Sequence, residues 1–361
     1  METNAPDTSN FLDWVEIKNF KSIKDLRLDC KRVNVFIGKP NVGKSNILEA
    51  LGMLGAELYT DGFMNDVARY KDIRHLFYEN DKKGQIKVSS DKSTSVLQGS
   101  FTNNYDFDYY SFPSKADIPR HKIKDYVLDN GGLLWYVSNT GKITVDQKRQ
   151  WNNSSRSAPY KSYTFRDIDN FVGTFETYLM PPDGKNLFDI IDSSKELKNE
   201  FGKMFLNQGL DLVLDQENQS FTIQKKDGFY IYKYDYFTIA DTFRRFMFYI
   251  AAIESNKNSV LIFEEPEVHS FPPYTQDVAY RMIYSTDNQF FVSTHSPYLL
   301  QTLVENMNDD QLSVFVTYYE NYETKVKALT PEELSFVQEY STDVFFNLDR
   351  FIPTPNAAII S

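Results

Sequence analysis

The sequence predicts an α/β protein built around a phosphate-binding loop, with a mixed sheet and an inserted α+β lobe. Three observations predict it. The β-branched run Val33-Asn34-Val35-Phe36-Ile37 ends at Gly38-Lys39-Pro40-Asn41-Val42-Gly43-Lys44-Ser45, a glycine loop of the G-x-x-x-x-G-K-S pattern. The wholly apolar run Val260-Leu261-Ile262-Phe263 ends at two acids, as expected of a strand buried on both faces. The run Phe290-Phe291-Val292-Ser293-Thr294 ends at His295.

In chain order, Trp14 to Lys18 alternates and reads as a strand, Leu26 to Asp29 as a second, and Val33 to Ile37 as a third. Ile47, Leu48, Leu51 and Leu54 recur at helical spacing after the loop. From about 85 to 235 the character changes to short alternating segments such as Gly132 to Val137. Asn130-Gly131 and Pro181-Pro182-Asp183-Gly184 punctuate them, and Asn152 to Ser157 reads as a polar loop. Within the same stretch, Leu197, Phe201, Phe205 and Leu206 mark a helix, and Phe221–Gln224 with Phe229–Tyr232 a hairpin. The last third returns to α/β logic. It holds a helix over Thr242–Ser255, the strand Val260–Phe263, a helix around Gln276–Ser285, the strands Gln289–Ser293 and Leu312–Thr317, and a short helix from Glu332. The expected organisation is therefore 1–84 as the first part of the head, 85–235 as the inserted lobe, and 236–361 as the second part of the head.

Composition narrows the function. A formal net charge of −11 argues against a surface built throughout for nucleic acid or anionic membrane. The single cysteine, Cys30, permits no internal disulfide and suits a reducing compartment. No apolar run approaches the length of a membrane span, and no leader is recognisable, so a cytoplasmic protein without membrane contact is expected. The four histidines, His75, His121, His269 and His295, do not group at metal-ligand or nuclease spacing. A basic series, Lys18, Lys21, Lys24, Arg27, Lys31 and Arg32, runs through the first strands and keeps a nucleic-acid surface open as an alternative to a solvated strand face.

The loop pattern has a mechanical reason. Its glycines let the backbone fold into a nest whose amides face phosphate oxygens, and the following helix adds its positive end. Gly38, Asn41, Val42, Gly43, Lys44, Ser45 and Asn46 are the candidate phosphate contacts. Lys44 reaches the β and γ phosphates, which gives it a catalytic role, and Ser45 offers a hydroxyl to Mg²⁺. Adjacent acids at a buried strand end are costly unless a cation lies nearby. Glu264 is placed as the magnesium carboxylate and Glu265 as the group that orients or deprotonates the hydrolytic water. His295, at the next strand end, is placed to sense the γ-phosphate.

Phe20-Lys21-Ser22, Gly38 to Leu48, Phe263-Glu264-Glu265-Pro266-Glu267 and Ser293-Thr294-His295-Ser296-Pro297 together resemble the ABC-type AAA family ATPases. That family includes the RecF, SMC and OLD heads and ATPase subunits of bacterial anti-phage systems. The resemblance implies ATP and Mg²⁺ as ligands, and two heads sandwiching two nucleotides as a homodimer or higher homo-oligomer. It implies a signature segment at a helix start, which here falls on Ile239 to Arg245, with Asp241 and Arg245 as its acid and base. Ala240 and Thr242 stand where the family carries serine and glycine, and Glu264 where it usually carries aspartate. His269 falls where the family often has a histidine. No TOPRIM nuclease pattern follows His295, and no heptad region marks a coiled-coil arm. The resulting expectation is an ATPase head that couples its nucleotide state to dimerisation or to docking of a separate effector, a nuclease or toxin, in defence or DNA transactions. An ATP-gated scaffold with little turnover and a DNA-binding repair ATPase are the alternatives.

Overall fold

The computed structural model describes residues 5–353 except 60, 102–105, 114–117, 146–158, 169, 207 and 340–343; the polar stretch 152–157 lies outside the described residues. Its centre is a six-stranded mixed sheet. The strands are β3 (Val33–Gly38), β9 (Tyr160–Tyr163), β13 (Ser259–Glu264), β14 (Asn288–Ser293), β15 (Leu312–Glu320) and β16 (Glu323–Ala328), in the order β16-β15-β3-β14-β13-β9. Only β16 runs antiparallel to its neighbour.

The apolar runs of β3, β13 and β14 carry no polar alternation because both faces are covered. Val33, Val35 and Ile37 join Leu261, Phe263, Phe290 and Val292 in one core. There they meet α5 (Asp241–Ser255), α6 (Pro272–Tyr284) and α7 (Pro297–Asn306). Phe36, Val260, Ile262 and Phe291 point the other way, into a second core with α1 (Lys44–Gly52). A period of two thus serves two cores at once.

That second core is closed by a seven-stranded antiparallel sheet. It contains β1 (Trp14–Phe20), β2 (Ile23–Asp29), β4 (Gln85–Ser90), β5 (Thr94–Gly99), β6 (Phe107–Phe112), β7 (Leu133–Val137) and β8 (Ile143–Val145), ordered β2-β1-β4-β5-β6-β7-β8. The helix α2 (Ile123–Asn130) packs beside β6 and β7. Helices α3 (Leu187–Ser193) and α4 (Lys195–Leu206) and the strands β10 (Asp211–Asp215) and β11 (Ser220–Asp227) belong with the first core, and β12 (Tyr230–Asp235), exposed throughout, completes the meander by pairing with β11. The helix α8 (Pro331–Glu339) completes the described elements used here.

The segment 85–235, read from composition as one inserted lobe, is distributed over all three sheets. Its strands β4–β8 extend the sheet begun by β1 and β2, pairing Val15 with Ser90 and Ile17 with Val88. Its strand β9 edges the parallel sheet beside β13. Only β10–β12 form a sheet of their own. Sheet membership therefore cuts across the sequence boundaries at 84 and 235, because the edge of β1 was open to pairing and β4 fills it.

The basic series along β1 and β2 is largely engaged within the chain. Lys18 pairs with Glu16, Lys21 with Glu49, Lys24 with Glu323 and Arg27 with Asp29. Arg32 hydrogen-bonds the carbonyls of Met282, Ile283 and Ser285, closing the end of α6, and Lys31 bonds those of Asp309 and Leu312. No described helix is long and apolar enough to cross a membrane.

Candidate functional site

The register of the parallel strands brings the motifs together. Ser293 pairs with both Phe36 of β3 and Glu264 of β13, so β3, β14 and β13 end level with one another. The glycine loop, His295 and the two acids thus leave from one edge, the carboxyl edge where open α/β sheets bind ligands.

The loop geometry demands its glycines. Gly43 has φ +99°, and a Cβ there would lie 2.0 Å from the Thr324 hydroxyl oxygen. A Cβ on Gly38 would lie 2.4 Å from the Thr317 carbonyl oxygen. Asn41 takes the left-handed region at φ +61°, which asparagine tolerates. The helix α1 then starts at Lys44 with no side-chain cap, leaving its first amides facing the loop.

Lys44 is buried. Its Nζ donates to the carbonyls of Gly38 and Lys39, both at 3.0 Å. Burial pushes its pKa down, opposed by the charges of Glu265 and Glu264. The Ser45 hydroxyl hydrogen-bonds Glu264 Oε1 in a short contact, joining the loop to the acid strand. Arg69 spans Glu264, at 3.1 Å, and Glu49, at 3.0 Å, and Lys21 closes on the other oxygen of Glu49. Glu265 sits at φ +45°, and its Oε1 lies 3.4 Å from His295 Nε2. A left-handed glutamate is strained backbone of the kind found where a side chain must be aimed. His295 is held below the ordinary imidazole range by burial and by the Lys44 charge, against the pull of Glu265, so its ring is neutral at pH 7.

Three side chains brace the loop: Asn46, expected as a phosphate contact, and Ser22 and Thr324, to which sequence reasoning assigned no role. Asn46 donates to Ser22 Oγ at 2.7 Å, Ser22 and Thr324 hydroxyls meet at 2.6 Å, and Thr324 donates to the Val42 carbonyl at 2.9 Å. Thr324 has one hydroxyl proton and spends it on Val42, so Ser22 donates to Thr324 and the chain runs in one direction. Thr324 comes from β16, a strand whose charged alternation hid it in the sequence. Arg69 and Glu49 likewise carried no signal, since their meeting with Glu264 is purely tertiary.

Asp241 and Arg245 lie elsewhere. Among the described residues they pair with each other at 2.8 Å, and Asp241 also takes His269 Nδ1 at 2.9 Å, rather than any loop residue. Burial raises the Asp241 pKa, but the hydrogen bonds of Arg245 and His269 and the charges of Arg245 and Arg244 outweigh it and hold it down. Arg245 stacks over Phe165 at 4.6 Å. Ala240 caps α5 with no side-chain bond, and the Thr242 hydroxyl turns back to the His269 carbonyl at 2.6 Å.

The donor set suits magnesium and a triphosphate. A buried ammonium satisfied only by loop carbonyls can transfer to phosphate oxygens, and a hydroxyl touching a carboxylate is a hard-oxygen pair of the sort that holds Mg²⁺. A cavity of about 830 Å³, lined in part by Arg69, Lys71, His75 and Arg166, reaches the Glu264 side chain.

Fold and site together define an ABC-type α/β ATPase head. Residues 33–301 match the family described as "AAA domain, putative AbiEii toxin, Type IV TA system". The match spans about three quarters of the chain, and the protein belongs to that family. Among solved structures, an SMC head bound to the C-winged helix domain of ScpA is similar, with 14% identity, a TM-score of 0.50, and coverage of 89% of this chain and 99% of that one. An SMC head from Pyrococcus furiosus with an extended coiled coil, bound to the C-terminal domain of ScpA, has 13% identity and a TM-score of 0.47 over 91% and 99% of the two chains. At such identity the first likeness concerns the fold. The uncharacterized protein MJECL10 of Methanocaldococcus jannaschii is 32% identical over 89 residues, 21% of this chain and 40% of that one. This chain therefore spans less than half the length of that relative.

Proposed function

We propose that the chain binds Mg-ATP at the carboxyl edge of β3, β14 and β13 and hydrolyses it. The observation that carries this reading is the contact of the Ser45 hydroxyl with Glu264, with Glu265 and His295 side by side at the neighbouring strand end. Ser45 and Glu264 would hold Mg²⁺, which would supply positive charge to the phosphate oxygens. Lys44 moves from the Gly38 and Lys39 carbonyls to the phosphates, exchanging neutral acceptors for anionic ones. Arg69, which pairs with Glu264 at 3.1 Å, would have to release that carboxylate for a cation to share it. Glu265 orients the attacking water and takes its proton, and neutral His295 hydrogen-bonds on the γ-phosphate side. The test is phosphate release by the purified chain against Lys44→Ala, with nucleotide uptake measured in parallel by calorimetry. Release equal to that of Lys44→Ala would end the hydrolytic reading, and no uptake by wild type would end the nucleotide reading.

The proposed assembly rests on the start of α5 and on the family resemblance. Asp241 and Arg245 at the start of α5 serve a second copy's nucleotide rather than their own, so two heads close over two ATP molecules and open after hydrolysis. That cycle docks and releases a separate effector, a nuclease or toxin, in a defence or DNA-transaction system. The family's description mentions a toxin system, which supports this direction by analogy alone. A slower, scaffold-like variant is favoured by one observation: the α5 start lacks a capping hydroxyl, and its Thr242 hydroxyl is already committed to His269.

A further inference from the structure

The Glu-Glu-Pro-Glu segment contains a third acid, Glu267, to which the reading above gives no task. β13 and β14 pair in register as far as Glu264 and Ser293. One more backbone bond follows, from the Glu265 N–H to the Ser293 carbonyl at 3.0 Å, and then the two chains separate. Glu267 reaches across the gap. Its Oε1 accepts from the Thr294 hydroxyl and from the His295 N–H, both at 2.8 Å. Its Oε2 is buried and has no hydrogen-bond partner.

A carboxylate in that position is costly. Burial raises its pKa, with the His295 amide and the Thr294 hydroxyl working against the rise and the Glu265 charge adding to it. Packing alone would be served more cheaply by an apolar side chain. What the acid achieves geometrically is to continue the ladder where the backbones part. It ties the backbone of His295 to the segment that carries Glu265, and the His295 ring lies 3.4 Å from that acid. Lys44 faces both groups.

We propose that Glu267 is a positioning residue that fixes His295 against Glu265 and so sets the geometry of the pair that handles the hydrolytic water. The proposal rests on the hydrolytic reading for its kinetic arm and on geometry alone for its spectroscopic arm. In Glu267→Ala, kcat should fall about tenfold or more while the calorimetric ATP affinity stays within about twofold, since an acceptor serving two donors is lost away from the nucleotide. Glu267→Gln keeps an acceptor oxygen and should recover most of that loss. The imidazole titrations, followed by NMR with His295→Gln to assign the signal, should show His295 shifted in Glu267→Ala and His75, His121 and His269 unmoved.

An unchanged kcat in Glu267→Ala, an unmoved His295 titration, or a loss in Glu267→Gln as deep as in Glu267→Ala would each overturn it. If Glu267→Ala does not fold, Thr294→Val removes one of the two donors and should lower kcat about threefold; no change there overturns the proposal as well. If wild type releases no more phosphate than Lys44→Ala, the hydrolytic reading fails on its own. The His295 titration then decides the positioning claim alone.

Discussion

The phosphate-loop edge and the start of α5 are the two places where this chain is expected to meet a triphosphate, and they are assembled in opposite ways. At the loop edge, side chains far apart in sequence already touch: Ser45 with Glu264, Glu265 with His295, Thr324 with the Val42 carbonyl. At the start of α5, the acid and base are satisfied by near neighbours, Asp241 by Arg245 and His269, and Thr242 by the His269 carbonyl. The first arrangement is preorganised within one chain, which is what catalysis of a water attack requires. The second holds its charges in a local knot that an incoming phosphate must loosen. On the proposed reading, the difference teaches that binding and water activation would belong to a single head, whereas any contribution of α5 would depend on what a second surface brings.

The largest expected effects lie at the loop edge. Glu265→Gln should keep nucleotide uptake and lose hydrolysis by about 10²–10⁴-fold, the span of a missing general base. If the bound state is the closed assembly, light scattering of this variant with ATP should show a larger species than wild type. An unchanged mass would break the link between the two regions. Lys44→Ala should lose uptake and hydrolysis together.

Next in size is His295. Burial and Lys44 hold its pKa down, so the neutral ring prevails at pH 7 and is lost only on acidification. Turnover that uses the neutral ring should therefore be full above the ordinary imidazole range and fall as pH drops through the lowered pKa. His295→Gln should be about tenfold or more slower and should lack that acid limb, measured as kcat/KM against pH, which reports the nucleotide-free chain. A limb that survives in His295→Gln would assign it to another group.

Smaller still is the bracing of the loop. Thr324→Val removes the donor to the Val42 carbonyl and should weaken ATP binding by about five- to tenfold, the worth of one hydrogen bond, with kcat little changed. Thr324→Ser keeps the hydroxyl and should bind nearly as wild type. Equal affinities for the Val and Ser variants would show that the loop holds its shape without β16.

This gradient also explains what the sequence could reveal. The loop was legible because a phosphate nest needs glycine at fixed positions, and Gly43 at φ +99° against Thr324 is that need made visible. β13 was legible because burial on both faces removes alternation. Helix α5 was legible because its stripe of Phe246, Met247, Ile250 and Ile253 faces one core. What stayed hidden is pairing at a distance. Nothing in Gln85 to Ser90 announces that it will edge β1, and nothing in Glu323 to Ala328 announces that Thr324 will support the loop. Glu49 and Arg69 belong to no motif in the sequence, and only the fold sets them beside Glu264 and Lys21. Short strands with charged residues give the same signal whether they end a sheet or complete a site.

The smallest effect bears most directly on the comparison. Ala240 precedes the first residue of α5 with an extended backbone, φ −53° and ψ 135°, so it sits as an N-cap without a capping side chain. Serine in that geometry would accept from an amide of the first turn and should stabilise the fold by about 0.5–1 kcal/mol. In a chain of this size that amounts to roughly a degree or two of Tm. The gain in stability should appear at any protein concentration, because the cap is internal. Any gain in turnover should not. If the α5 start serves a second copy's nucleotide, the added hydroxyl can help only when two heads meet, so Ala240→Ser should raise phosphate release per chain at high protein concentration and leave it unchanged at high dilution. Release per chain that rises equally at both concentrations would place the start of α5 in its own chain's site and abolish the distinction between the two regions.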